Sequence, residues 1–184
     1  MRKVALLTVL LATATVTGCG ASASNTGEST SSTLAPPGSF ASCTAHQLSA
    51  MGGRQGGGFQ TAHADVELKS VAPPDCLLSS APTAIALVKA DGTTLDIQYE
   101  PGTITEPVPR LSPGGVVDLV LNWANWCGAN PGSLTIRITV SNGGGVLEGP
   151  FNGPPGYDYL PGCIQPGEPS TLKFTGYSGA AGSA

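Results

Sequence analysis

The residue with the clearest chemistry in the chain is Cys19, which ends the stretch Val16-Thr17-Gly18-Cys19. A cysteine directly after a small residue, with a branched residue three places before it, has the form of a lipobox, the bacterial signal for attaching lipid to a thiol. Gly18 leaves a peptidase room at the bond before Cys19. The Cys19 thiol would then carry the diacylglyceryl group, with acyl chains of the palmitate type added, at the head of the mature chain. Ahead of it, Arg2 and Lys3 and then the uncharged run Val4 to Val16 read as the basic and apolar regions of a secretory signal peptide. A spanning helix needs about 20 apolar residues. This run is interrupted by Thr8, Thr13 and Thr15 and stops at Gly18, so it is too short and too polar to cross. The expectation is a protein anchored to the cell membrane by lipid, on the extracytoplasmic face.

Four further cysteines, Cys43, Cys76, Cys127 and Cys163, follow in a chain bound for an oxidising compartment. An even number there implies disulfides, and four cysteines allow three pairings. The expected pairing is Cys43 with Cys76 and Cys127 with Cys163, because each bond then closes a loop of intermediate length. A zinc site is the rival, but no Cys-x-x-Cys pair is present to build one.

Other reactive groups are sparse. The two histidines, His46 and His63, come without a Gly-x-Ser-x-Gly elbow, which argues against a histidine triad. His63 and Asp65, two apart on an alternating segment, read as a solvated sheet face rather than a metal site. Asp118, Glu148 and Asp158 are the carboxylates a glycoside hydrolase would need to pair, and their spacing in space is invisible in sequence. The glycine-rich segment 51–58 lacks the Gly-Lys-Ser/Thr of a phosphate loop. No enzyme, cofactor or metal is therefore expected. Aromatic residues are more suggestive: they make up only 5% of the chain, yet Trp123, Trp126, Phe151, Tyr157 and Tyr159 fall close together. Trp123 reads as core, whereas Trp126, Tyr157 and Tyr159 lie on loops that Cys127 and Cys163 would tie together. Aromatics gathered on loops form ligand platforms.

The chain that must hold these residues divides at composition changes. Residues 1–18 are the signal peptide. Residues 19–42 are nearly all Ser, Thr, Ala, Gly and Pro, a disordered tether with too few apolar side chains to fold. Residues 43–178 hold one domain, and 179–184 a disordered tail. Loss of Arg2 and Lys3 from 8 basic residues leaves 6 against 12 acidic ones, a formal charge of -6, which speaks against nucleic acid as a partner. Within the domain, alternation predicts strands at 44–48, 62–69, 83–89, 94–99, 116–124, 134–140, 146–147 and 171–175. The segment 51–58 is expected to be a loop. Asp91-Gly92 reads as a hairpin turn, and Pro101 to Gly115, with its prolines, as a crossing between sheets. In the strand 116–124, Val117, Leu119, Leu121 and Trp123 share one face, which marks it as central. Seven or eight short antiparallel strands punctuated by turns argue an all-β sandwich.

The pattern of Cys43, Leu48 and the glycine-rich segment, Cys76-Leu77 with Pro82, Pro113-Gly114 before the strand of Trp123, Cys127, and Pro161-Gly162-Cys163 resembles a domain family of unknown function common in actinobacterial secreted lipoproteins. The resemblance covers Cys43 to about Tyr177 and implies an immunoglobulin-like sandwich in the cell envelope, with no activity attached. The functional expectation is a non-catalytic binding or interaction module, with an envelope ligand or protein as partner and Trp126, Tyr157 and Tyr159 as candidate contacts. A structural envelope component or a carboxylate-dependent hydrolase are the alternatives.

Overall fold

The computed structural model describes residues 40–58, 60–104, 108–151 and 160–179. Cys19, the signal segment, most of the tether, Tyr157, Asp158 and Tyr159 lie outside the described residues. Among these residues there are ten strands: β1 (Leu48–Gly57), β2 (Thr61–Ser70), β3 (Cys76–Leu77), β4 (Ala84–Lys89), β5 (Ile97–Glu100), β6 (Arg110–Leu111), β7 (Val116–Ala124), β8 (Leu134–Val140), β9 (Gly145–Pro150) and β10 (Ser170–Ser178). They form a five-stranded sheet in the order β1-β2-β7-β10-β5, a three-stranded sheet β4-β8-β9, and a short β3-β6 ribbon.

The two main sheets pack face to face as a β-sandwich. Its core follows from the period-2 alternation of each strand. Ala62, Ala64, Val66 and Leu68 of β2, with Val117, Leu119, Leu121 and Trp123 of β7, point inward from the larger sheet. Ile85 and Leu87 of β4, with Leu134, Ile136 and Ile138 of β8, meet them from the smaller one. Strand β7 lies in the middle of its sheet, as its uninterrupted apolar face requires.

Three elements depart from the sequence reading. The first strand does not cover 44–48: Ala45–Gln47 is a 3-10 turn, in which Thr44 and Gln47 form a capping box. The strand begins at Leu48 and continues through the glycines that were expected to form a loop. Strand β1 pairs with β2 on one side only, and a bulge between Gly52 and Gln55 absorbs the irregularity. At a sheet edge the ladder comes from the backbone, so weak side-chain propensity does not prevent it. The buried Gln55 then fastens β1 to the smaller sheet's side, donating from Nε2 to the Phe151 carbonyl at 2.9 Å.

Second, the turn at Asp91-Gly92 forms, with Gly92 at φ 83°. Its outgoing arm, however, bridges β4 only at Val88 and Thr94. Buried Leu95 then carries the chain across to the other sheet, where β5 joins the edge of β10. Third, that β5-β10 pairing is parallel, so the sandwich is not purely antiparallel.

Registers define two ends. At one, Leu48 lies opposite Ser70, Lys69 opposite Val116, and the β8-β9 turn reaches Ala45 through a hydrogen bond from its amide to the Gly144 carbonyl. At the other, Thr61, Ala124 and Thr171 lie side by side. The nine residues of β7 put about 30 Å between the ends. The chain enters the domain at the first end. Here the order extends beyond Cys43, since the Ala41 carbonyl accepts from the Leu77 amide. Arg110 stacks over the Phe40 ring at 3.8 Å while donating to Asp75. These bonds, with one from Ser112, hold the Asp75 carboxyl below the usual carboxylate range.

Candidate ligand-binding groove

The structure joins Cys43 to Cys76 and Cys127 to Cys163. The first bond is sealed in the entry end, its cysteines 1% and 0% exposed, whereas both cysteines of the second are exposed at the far end. There the chain leaves β7 and must be turned sharply before β8.

Asn125 makes the turn. It sits in the left-handed region at φ 56°, a conformation in which asparagine is tolerated better than most residues. Its buried side chain binds the segment preceding β10 from both of its atoms. Nδ2 donates to the carbonyls of Gln165 at 3.0 Å and Glu168 at 3.1 Å, and Oδ1 accepts from the amides of Ile164 at 3.1 Å and Gln165 at 2.9 Å. One amide thus lashes the 164–169 segment to the end of β7, next to the disulfide that does the same covalently.

The two tryptophans divide as their neighbours dictate. Trp123 is 2% exposed, with its Nε1 donating to Ser170 Oγ at 2.8 Å and its ring edge-on to Phe151 at 6.2 Å. Trp126 is half-buried, packed edge-on against Trp123 with centroids 5.5 Å apart. Gly128 lies so close to the Trp126 ring that a Cβ there would sit 2.5 Å from it, so only glycine fits. The Trp126 Nε1 donates to the Ala129 carbonyl at 3.1 Å. With that donor engaged inside the loop, what Trp126 offers a ligand is aromatic surface. It lines a groove of about 410 Å³ with Asp96, Gln98, Asn125, Glu168 and Pro169.

No family model, no curated protein and no solved structure matches the chain. The reading of the site therefore rests on its geometry.

Of the candidate contacts, Trp126 lies in the groove, while Tyr157 and Tyr159 fall outside the described residues. The other reactive groups are kept apart. His46 lies in the turn before β1, at the entry end, whereas His63 is on the outer face of β2 beside Asn122, to which its Nδ1 hydrogen-bonds. Asp118 faces outward from β7, and Glu148 faces outward from β9 in an ion pair with Arg137 at 2.6 Å. The two carboxylates thus stand on opposite sheets and cannot share a glycosidic bond.

Sequence reasoning missed a second concavity, at the entry end. A cleft of about 620 Å³ opens between the segment before β4, the segment after β5 and the β8-β9 turn. Two tyrosines buttress it: Tyr99 donates to the Pro82 carbonyl at 2.9 Å and Tyr177 to the Ser80 carbonyl at 3.1 Å. Burial pushes Tyr99 up to about 12, and burial followed by the neighbouring Tyr99 raises Tyr177 as well.

The fold thus favours the protonated phenols. Their contribution is fully present below the ordinary tyrosine value of about 10 and is lost as pH rises through the folded value. Denaturant midpoints should fall between pH ~10 and ~12, and fall less steeply in the Tyr99→Phe/Tyr177→Phe variant. Equal slopes in the two proteins would contradict this.

Proposed function

We propose that the chain is an extracytoplasmic lipoprotein of the actinobacterial type it resembles, held to the membrane through acylated Cys19, and that its sandwich is a non-catalytic binding module. An immunoglobulin-like arrangement fits the connectivity. In such folds strands A, B and E share one sheet and C, F and G the other. Here β1, β2 and β7 take the first set of places and β4, β8 and β9 the second, while β10 takes the place beside β7 usually given to strand D, with β5 beyond it at the edge.

One observation carries the functional reading: the Trp126 groove is at the end of the sandwich opposite the point where the chain enters. A domain tethered at one end presents the other to whatever lies outside the membrane. The loops there are fixed by a disulfide and by Asn125, so a ligand meets a surface already ordered and less entropy is lost on binding.

The anchor is tested by phase partitioning in detergent. Wild type should enter the detergent phase and Cys19→Ala the aqueous phase. A Cys19→Ala protein that still partitions fully into detergent, at unchanged mass, ends the lipoprotein reading. The groove is tested with that soluble form and purified cell-wall fragments. It should co-sediment with them, and Trp126→Ala should weaken retention roughly tenfold or more, as loss of a binding hot spot does. Equal retention would remove Trp126 from the binding surface.

A further inference from the structure

We propose that the cleft at the entry end is a second binding site, specific for a neutral oligosaccharide and independent of the Trp126 groove. Its lining decides the chemistry. Ser80, Thr83, Thr103, Ser141 and Asn142 line the space together with Pro82 and Ile104, and no charged residue is among its described lining.

From the described lining a charged ligand would gain no counter-charge for the water it gives up. A purely apolar one would take water from those polar groups that the protein does not itself satisfy, also at a cost. A sugar matches both parts of the wall, with hydroxyls for the polar groups and C–H faces for the proline and isoleucine. At about 620 Å³ the cleft falls within the span of small-molecule sites, roughly 300–1,000 Å³.

The polar groups are held in place before any ligand arrives. Ser80 Oγ donates to Ser141 Oγ at 2.6 Å, so the Ser141 oxygen accepts that hydrogen bond and its own O–H is left to donate. Asn142 is fixed in the left-handed region at φ 57°, and its Nδ2 spans Ser42 Oγ at 3.4 Å and Ser79 Oγ at 3.3 Å. Its Oδ1 then serves as an acceptor for a sugar hydroxyl. The Tyr99 and Tyr177 hydroxyls pin the carbonyls behind one wall. The facing wall is set at Gly102, which lies against the Phe174 carbonyl so closely that no side chain fits. Polar groups already fixed around a shared space lose less entropy on binding, which lets weak neutral hydrogen bonds add up to affinity.

The test uses full-length protein in detergent on an array of neutral gluco-, manno-, galacto- and arabino-oligosaccharides, with uronic-acid and sulfated oligosaccharides as the charged set. A neutral member should bind. Its affinity, measured by calorimetry, should fall about three- to tenfold in Ser141→Ala and in Asn142→Gly, as expected for one lost neutral hydrogen bond, and stay unchanged in Trp126→Ala. Asn142→Gly retains the left-handed turn but gives up the bonds to Ser42 and Ser79, so an unchanged denaturant midpoint in this variant must accompany the loss of affinity. Silence of every neutral oligosaccharide overturns the proposal. So does binding confined to the charged set, or binding that depends on Trp126 and not on Ser141 and Asn142.

Discussion

Replacing Cys43 and Cys76 together by alanine should lower the melting temperature by roughly 10–20 °C. The bond closes a sequence separation of 33, for which the chain-entropy model gives about 4 kcal/mol of stabilisation. A domain of this size shifts by about 3–5 °C per kcal/mol. The Cys127–Cys163 bond spans 36 and should be worth the same by that model. What separates the two is access. Attack by a thiolate needs a reachable sulfur, and Cys43 and Cys76 are at most 1% exposed while Cys127 and Cys163 are both exposed. In native buffer a mild thiol reductant should open Cys127–Cys163 and leave Cys43–Cys76 intact until denaturant is added. Brief reduction followed by alkylation and peptide mapping reads the order directly. Simultaneous labelling of all four thiols in the folded protein would refute the distinction.

The parts of this fold that were legible in sequence are those where one face of a strand is buried and the other wet. Val117, Leu119, Leu121 and Trp123 alternate without a fault, and β7 is central. Strand β1 was illegible because Gly52, Gly56 and Gly57 carry no side chains to alternate, and its ladder is written in backbone hydrogen bonds to β2. The course of β5 was hidden for another reason. Asp91-Gly92 specifies a turn, but a turn does not specify how long the outgoing arm stays with its partner, and burial of Leu95 takes it to the other sheet.

The sites divide in the same way. Trp126 stood out by residue type. The cleft did not, because it is assembled from common serines, threonines and prolines in segments about 20–60 residues apart, brought together by the sandwich. A lone asparagine after a strand is a weak signal too, since most asparagines in that position only mark a turn.

That asparagine is where the second large effect is expected. Asn125→Ala should destabilise the protein by about 3 kcal/mol, from two separable sources. Alanine in the left-handed region costs roughly 1–2 kcal/mol, and loss of the side chain strips the amides of Ile164 and Gln165 and the carbonyls of Gln165 and Glu168 of their partner. A typical hydrogen bond contributes about 1 kcal/mol, and water will replace some of these at an exposed loop. Asn125→Gly keeps the backbone conformation and removes only the bonds, so the difference between the two variants isolates the strain. Asn125→Asp keeps an acceptor for the two amides but presents oxygen to the carbonyls that Nδ2 now serves, and it should fall below glycine. Denaturant unfolding gives the three stabilities. A pulse of hydrogen exchange should show faster exchange at Ile164 and Gln165 in the alanine and glycine variants, with the amides of β8 unchanged. If all three variants match wild type in stability and in exchange at those two amides, Asn125 does not hold the groove's wall, and the disulfide alone does.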